Sequence, residues 1–190
     1  MKTLEVAEKR RTYYNINKEL PVKAEEVVSF VEKATELTPD AFNMKSSRVV
    51  VALGAQHDAL WDTIYDVFEG KVAREKIDSF KAGYGTILYF VDQTTIEGLQ
   101  GQFPMYADRF PHWGAQSAGM LQITIWEGLR ELGVGASLQH YNPVINEAVQ
   151  KLFDLPSTWV LDAQMPFGGI VAEPEAKDKE DISQRVVIKK

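Results

Sequence analysis

The chain has 190 residues, of which 45% are hydrophobic and 25% charged, and this predicts one domain with a sizeable apolar core. Its 27 acidic residues outnumber 21 basic ones, which gives a net charge of -6. Nucleic-acid binding needs clustered lysine and arginine, so this balance argues against a nucleic-acid partner.

Residue types and patterns that the sequence lacks exclude several kinds of site and of protein. The chain has no cysteine, which excludes disulfides, thiol catalysis and thiolate metal sites and fits a reducing compartment. His57, His112 and His140 share no metal-ligand spacing, so we expect no metal site. No apolar run approaches the roughly 20 residues of a membrane helix, and residues 1–11 lack the apolar block of a signal peptide. We therefore expect a cytoplasmic protein with no membrane partner.

A basic pair follows the first predicted helix. The pattern predicts a short helix over residues 4–10, capped by Thr3, with Arg10, Arg11 and Thr12 at its end. Two guanidinium groups and a hydroxyl form a suitable anion site, because each guanidinium offers several donors in a fixed geometry. The alternative is a solvated basic pair that interacts favourably with the negative end of the helix dipole.

Apolar periodicity predicts the next elements. Helices are expected at residues 24–37, 57–72 and 74–81, strands at 48–53 and 86–91, and a helical turn at 94–100. The strand at 48–53 is almost entirely apolar, which is typical of a central strand. The loop before it could present Asn43 and Lys45 to a ligand, although asparagine is also common in ordinary turns.

Residues 103–113 form an aromatic segment that contains Pro104 and Pro111. We expect an irregular segment that either lines a pocket or covers the core, because large aromatic side chains favour both places. Its candidate pocket residues are Phe103, Tyr106, Phe110, His112 and Trp113.

A long apolar helix, predicted over residues 113–132, is the element around which the chain is arranged. Its stripe at three- and four-residue steps comprises Ala118, Leu121, Ile125, Leu129 and Leu132, widened by Met120, Ile123 and Trp126. A helix that is apolar nearly all round needs burial on more than one side, so we expect the core on one side and a partner subunit on another. Gly119 and Gly128 predict close approach of another group, and Gly133 ends the helix.

The C-terminal part is expected to end in an arm. We expect a strand at 134–138, a polar turn at 139–143 placed to touch a ligand, a helix at 146–153, a strand at 158–164 and a turn at 165–169. A charged stretch then precedes a short apolar run at 185–189. This predicts a domain of residues 1–172 and an arm of residues 173–190 that pairs with a partner's sheet edge. The alternative is a frayed tail.

Motifs for common chemistries are missing. The chain has no G-x-S-x-G nucleophile elbow and no Walker loop. Gly133 and Gly135 begin like a dinucleotide fingerprint, but Leu138 replaces the third glycine and a helix precedes the motif where a strand is required. Redox chemistry would therefore have to come from a bound cofactor.

An ordered set of motifs resembles the FMN-dependent nitroreductase superfamily, in the branch of copper-induced nitroreductases and fatty-acid-repression nitroreductase-like proteins. The set comprises Arg10-Arg11-Thr12, the loop Pro39 to Lys45, the run Gly133 to Pro143, Met165-Pro166-Phe167-Gly168, Lys177, and Arg185-Val186. The resemblance covers essentially the whole chain. It implies an α+β fold with a mainly antiparallel central sheet flanked by helices, in an intertwined homodimer with C-terminal strand exchange and flavins at the interface.

The resemblance also implies roles for particular residues. Those implied to hold the FMN phosphate and ribityl end are Arg10, Arg11, Thr12 and Lys177. Asn43 and Lys45 would face the isoalloxazine ring from the partner subunit. Leu138, Gln139 and His140 would pack under the ring and present backbone groups near its N5.

The implied activity is NAD(P)H-dependent reduction of a small aromatic acceptor, a nitroaromatic or a quinone, by hydride transfer through flavin N5. No catalytic side chain is required, because the flavin carries the chemistry. The alternative is a flavin-binding regulator or redox sensor with little turnover. Two residues depart from the family pattern: Tyr14 stands where some relatives have a basic residue, and Lys45 stands where glutamine is common.

Overall fold

The helices and strands are taken from a computed structural model of the chain, which describes residues 2–178 and 180–190. The helices are α1 Lys2–Lys9, α2 Ala24–Leu37, α3 Ala55–Val67, α4 Arg74–Lys81, α5 Gln93–Gln102, α6 Phe110–Glu131 and α7 Asn146–Leu152. The strands are β1 Ile16–Asn17, β2 Ser47–Leu53, β3 Gly85–Asp92, β4 Val134–Ala136 and β5 Trp159–Ile170. Short 3-10 helices lie at Ala41–Asn43, Pro104–Arg109 and Ile182–Gln184.

The described strands form one antiparallel sheet in the order β1-β5-β3-β2, and β4 also pairs with β5. Side chains alternate across a strand, so β3 points Ile87 and Tyr89 to one face and Leu88 and Phe90 to the other. The first pair packs with α2 and α6, and the second packs with α3, α4 and α7. Helices therefore cover both faces of the sheet, which confirms the predicted α+β class.

Several helices lie where periodicity placed them, and others differ for local reasons. α2 and α4 have the predicted bounds, whereas α1 contains Thr3, which therefore does not cap it. α6 begins at Phe110 and not at 113, because Pro111 lies in its first turn, where the missing N–H has no helical partner to lose. α3 ends at Val67, before Glu69 and Gly70, which adopt left-handed backbone with φ of 49° and 80°.

The segment predicted as irregular is largely helical. The predicted turn at 94–100 is part of the longer helix α5, which Asp92 caps by accepting a hydrogen bond from the Thr94 N–H at 3.1 Å. Pro104 begins a 3-10 helix, and α6 follows it directly. The two prolines therefore begin helices, because each occupies a first turn.

The prediction that residues 48–53 form a central strand is wrong, because β2 lies at the edge of the sheet and pairs only with β3 in the described chain. Most of its residues are half-buried, and Ala52 alone in β2 is fully buried. An apolar strand of this kind leaves one edge available for further contacts.

The predicted turn at 165–169 is also wrong, because β5 continues through it to Ile170. Turn-forming Pro166 and Gly168 suggested an end to the strand. The carbonyl of Pro166 still accepts the N–H of Ser137 at 3.2 Å, and Gly168 pairs with Gly135 of β4. A long strand is tolerated here because only one ladder donor is lost.

The C-terminal residues 185–190 are exposed and form no strand with the described residues of the same chain. The predicted exchange stays a prediction, because the pairing it requires involves a second chain. Among the described residues, no helix has the length and apolar character needed to cross a membrane.

Candidate functional site

The N-terminal basic segment lies against strand β4. The Tyr13 N–H donates to the carbonyl of Ala136 at 3.0 Å, and the indole of Trp126 on α6 donates to the same carbonyl at 3.1 Å. The Arg10 guanidinium carbon stacks 4.4 Å from the Trp126 ring centroid, a cation–π arrangement. The predicted anion-binding residues therefore stand beside the strand that leads directly to Leu138.

Arg11 has unused hydrogen-bonding capacity. One terminal nitrogen donates to the carbonyl of Glu175, while the buried Nε has no hydrogen-bond partner among the described residues. A buried donor without a partner costs on the order of 1–3 kcal/mol. Arg11 is therefore suited to take a further acceptor, and a phosphate oxygen is the acceptor that guanidinium geometry matches.

The buried Tyr13 connects the start of the predicted arm to the region of the arginine pair. Tyr13 donates to the Glu173 carboxylate at 2.7 Å and accepts from Arg130 Nε at 3.1 Å. Burial, followed by the hydrogen bond to Glu173, raises the pKa of Tyr13, so the tyrosine keeps its proton. Residue 173 is thereby fixed next to the arginine pair, and the exposed Lys177 follows a few residues later.

The turn that follows β4 is held by a buried glutamine. The main chains of Gln139 and Gln164 exchange hydrogen bonds of 2.7 and 2.9 Å. The Gln164 side chain accepts from the Tyr141 N–H at 2.8 Å and donates to the side-chain oxygen Oδ1 of Asn142 at 3.0 Å. The backbone N–H and carbonyl of Gln139 are thus already paired within the chain.

Leu138 is half-buried and packs against the core on the side of the sheet that contains Ile87 and Tyr89. His140 is exposed. An apolar side chain followed by an exposed polar residue can support a planar ring and leave its edge accessible. Of the three residues predicted to lie under a flavin ring, only Leu138 has an apolar side chain.

A second set of predicted residues lies around a cleft of about 350 Å³ beside the N-terminal half of α6. Asn43, Lys45 and Arg48 line it, together with Ser117 and Leu121 of the helix. Asn43 and Lys45 have left-handed backbone with φ of 52° and 53°, which costs a residue with a Cβ about 1–2 kcal/mol. This backbone conformation sets the direction in which the two polar side chains leave the loop.

Phe42 is the centre of an aromatic cluster that contains most of the predicted pocket residues, although the sequence did not single it out. Its ring centroid lies 5.7 Å from Trp113, in a stacked arrangement, and 5.0 Å from Phe103. Phe110 packs against it edge-on at 5.2 Å and is fully buried, so this part of the cluster belongs to the core. Phe42 and Tyr106 remain 49% and 43% exposed.

His112 is exposed and takes no part in the aromatic contacts of the described residues. Its prediction as a pocket wall has no support from the packing. Sequence reasoning also missed Gln164 and Tyr13, since a glutamine within an apolar strand and a tyrosine next to the arginine pair give no local motif.

The residues near the arginine pair and the residues around the cleft contact α6 at different positions along its axis. The set around Arg10 to Tyr13 meets α6 at Trp126 and Arg130, and the cleft meets it at Ser117 and Leu121. A helix rises 1.5 Å per residue, so Ser117 and Arg130 lie roughly 20 Å apart along α6. One chain therefore does not bring all the predicted site residues together.

The chain is similar to known proteins over most of its length. The sequence model of the Nitroreductase family matches residues 7–169. Nitroreductase FRM2 of Saccharomyces cerevisiae is 36% identical over 171 residues, which cover 88% of each chain. Nitroreductase CinD from Lactococcus lactis in complex with chloramphenicol superposes with a TM-score of 0.94 at 39% identity, over 99% of this chain and 100% of that one.

Two further structures have the same fold. CinD in complex with 4-nitrophenol has a TM-score of 0.91 at 38% identity, over 99% of this chain and 100% of that one. A protein from Exiguobacterium sibiricum in complex with FMN has a TM-score of 0.75 at 15% identity, over 98% of this chain and 96% of that one, which shows a shared fold alone.

The family match spans the sheet, α6 and both sets of residues around it. The nitroreductase-like fold expected from the motifs is confirmed by the superposition with CinD. The chain belongs to the nitroreductase family and is a nitroreductase-type oxidoreductase.

Proposed function

We propose that the protein is an FMN-dependent NAD(P)H oxidoreductase that reduces nitroaromatic or quinone-type acceptors. The observation that carries the proposal is the contact between Tyr13 and Ala136, which places the arginine pair beside the segment that begins at Leu138. A cationic end and an apolar support, joined in this way, suit a ligand with a phosphate tail and a planar ring. CinD, which is 38% identical, is described in complex with the nitroaromatic 4-nitrophenol.

The residues present fit FMN at its phosphate end. Arg11 has a buried Nε without a partner in the described chain, and Thr12 beside it offers a hydroxyl. Arg10 adds positive charge from its position over Trp126. These groups, with Lys177, would hold the phosphate and ribityl end. FMN, when bound, would supply the redox chemistry by accepting a hydride from the reduced nicotinamide and passing it to the acceptor.

The remaining residues would bind and orient the flavin ring and the aromatic acceptor. Leu138 would support the ring, and Asn43 and Lys45 would face it from the partner subunit. The positive charge of Lys45 would favour the negative charge that reduction brings to the ring. The exposed rings of Phe42 and Tyr106 would stack on an aromatic acceptor. No side-chain acid or base is assigned.

This arrangement requires a homodimer. The two sets of residues lie roughly 20 Å apart along α6, so a ligand bound to the arginine pair of one copy would meet Asn43 and Lys45 of the other. Residues 1–172 would form the flavin-binding domain, and residues 173–190 would form an arm that crosses to the partner.

The proposal is tested by cofactor loading and turnover. We expect the purified protein to bind FMN and to oxidise NADH or NADPH when a nitroaromatic or a quinone is added. Replacing Arg11 with alanine should weaken FMN binding about 10- to 100-fold, because charge-assisted hydrogen bonds contribute roughly 1.5–3 kcal/mol. Lys71→Ala, which removes an exposed cation after α3, is the matched control and should bind FMN normally.

The outcomes separate the candidate functions. Protein that stays colourless after incubation with FMN and oxidises no NAD(P)H would contradict the proposal. Protein that binds FMN but is reduced by NAD(P)H only over minutes, as followed by stopped-flow absorbance, would favour a flavin-binding sensor.

A further inference from the structure

The loop of residues 40–46 holds an unusual backbone. Phe42, Asn43 and Lys45 all have positive φ, at 56°, 52° and 53°. Asparagine tolerates this conformation better than other residues with a side chain, whereas phenylalanine and lysine are disfavoured in it. Neighbouring left-handed residues of this kind persist only where the surrounding contacts determine the backbone.

One carboxylate closes the loop from end to end. The same Oδ2 of Asp40 accepts the Ser46 N–H at 2.9 Å and the Ser46 hydroxyl at 2.8 Å. Ser46 is fully buried, so these bonds are shielded from water. Hydrogen bonds to an ionised acceptor are roughly twice as strong as neutral ones, which suits a carboxylate to this position. We refer to these two bonds as the Asp40–Ser46 clasp.

The residues inside the clasp alternate between two environments. Phe42 packs in the aromatic cluster, and Met44 is buried against Ile96 and Phe110. Asn43 and Lys45 are exposed and line the cleft beside α6. The buried Met44 and the aromatic contacts of Phe42 thus anchor the loop, while Asn43 and Lys45 present polar groups to the cleft.

Neighbouring elements hold the ends of the loop. The Ser117 hydroxyl of α6 donates to the Pro39 carbonyl at 3.0 Å, and Arg48 of β2 donates to the Lys45 carbonyl at 2.6 Å. The second carboxylate oxygen of Asp40 is buried and has no hydrogen-bond partner in the described parts of the chain. A turn selected for stability alone would avoid both this unpaired oxygen and the left-handed backbone, and such local costs are typical of functional sites.

We propose that Asp40 is a positioning residue whose clasp with Ser46 holds Asn43 and Lys45 in the orientation that binds the flavin ring. The proposal rests on the proposed function, because it assumes that these two side chains face a flavin. Asp40 itself touches no ligand in this assignment. It acts by keeping the loop in its left-handed form before the cofactor arrives, so that binding does not have to order it.

Three substitutions and one control test the proposal. Asp40→Ala removes both bonds of the clasp, Ser46→Ala removes only the bond from the hydroxyl, and Asp40→Asn keeps an oxygen that can accept both. Asp78→Ala removes an exposed carboxylate of α4 and is the control. The measurements are the FMN dissociation constant from fluorescence quenching, the visible spectrum of the bound flavin, and the melting temperature of the FMN-free protein.

We expect a graded result. Asp40→Ala should weaken FMN binding about tenfold or more, the equivalent of about 1.4 kcal/mol, and should change the flavin absorption bands. Ser46→Ala should weaken binding about threefold. Asp40→Asn, whose neutral oxygen forms both bonds more weakly, should bind less tightly than the unmodified protein but more tightly than Asp40→Ala. Asp78→Ala should bind within about twofold of the unmodified protein.

Other results would overturn the assignment. If folded Asp40→Ala binds FMN with an unchanged constant and spectrum, the clasp has no positioning role. If Asp40→Asn is as weak as Asp40→Ala, the charge and not the clasp is responsible. Should Asp40→Ala not fold, an unchanged constant for Ser46→Ala would be decisive against the proposal. Failure of the unmodified protein to bind FMN would instead refute the proposed function.

Discussion

His57 is a fully buried histidine whose ring nitrogens are both paired. Its Nδ1 lies 2.9 Å from the Thr86 hydroxyl oxygen, and its Nε2 lies 3.2 Å from the Lys81 carbonyl. A carbonyl only accepts, so Nε2 carries the proton and Nδ1 accepts from Thr86. Thr86 in turn accepts from the Trp61 indole at 2.9 Å. The network is complete only for a neutral imidazole.

Acid should therefore destabilise the protein through His57. Burial lowers the pKa of His57 below its ordinary value of 6.5. The unfolded chain then binds more protons than the native protein below that value, so the contribution of His57 is complete above about pH 6.5 and is lost as the pH falls through it. We expect the free energy of unfolding, measured by urea denaturation, to decrease from about pH 7.5 to about pH 5.5.

A variant without the imidazole provides the control for this pH dependence. His57→Gln should be less stable at about pH 7.5, because it disturbs the network, and should lose less stability on acidification. The exposed His112 and His140 remain in both proteins, so they do not account for the difference. Equal slopes for the two proteins would exclude His57 as the titrating group.

At the scale of elements, β5 has no space for a side chain at Gly169, which lies beside the segment that follows β1. A Cβ on Gly169 would lie 1.9 Å from the backbone oxygen of Glu19 and 2.5 Å from the Asn17 side-chain oxygen. Because a backbone atom is in the way, the β1 segment would have to move. Position 169 therefore has room for glycine alone.

Alanine substitutions at two glycines should therefore have opposite effects on the stability of the protein. Gly169→Ala is expected to lower the free energy of unfolding by about 1–3 kcal/mol, the usual cost of overpacking. Gly98→Ala, in α5, meets nothing within 4 Å and should raise stability by about 0.5–1 kcal/mol through helix propensity. Thermal denaturation of both variants measures this, and a stable Gly169→Ala protein would show that β1 is not held against β5.

Local patterns predicted helices better than strands in this fold. The bounds of α2 and α4 follow from apolar residues at helical spacing, which is a local property. The edge position of β2 could not be read from its apolar residues, because strand neighbours are set by distant parts of the chain. β1 has only two residues, too few for an alternating pattern.

The residues of the candidate site were proposed from motifs, but their spatial arrangement could not be predicted. Arg11 and Leu138 came from motifs, while the hydrogen bond from Tyr13 to Ala136 that brings them together joins segments far apart in sequence. Phe42 as an aromatic centre could not be foreseen, because its left-handed backbone contradicts the preference of phenylalanine. Tertiary contacts decide such positions.

For the whole molecule, the proposed homodimer would use the outer face of α6. Met120 and Ile123 are each 41% exposed on this helix, and Gly119 next to them has open space around it. Their exposure leaves apolar surface on the longest helix of the described fold. The face lies between the cleft at Ser117 and the arginine pair near Arg130, where a partner would join the two sets of residues.

If the proposed dimer forms through this face, a charge placed on it should both separate the two subunits and weaken FMN binding. We expect Ile123→Arg to be a folded monomer by size-exclusion chromatography with light scattering, because a buried unpaired charge destabilises an apolar interface. Its FMN affinity should fall at least about tenfold, since the second set of residues would be lost. Val160→Arg, at a residue 38% exposed on β5, is the matched control and should remain dimeric with bound FMN. A monomeric Ile123→Arg protein that still binds FMN normally would mean that one chain holds the whole site, and the roughly 20 Å separation along α6 would then need another explanation.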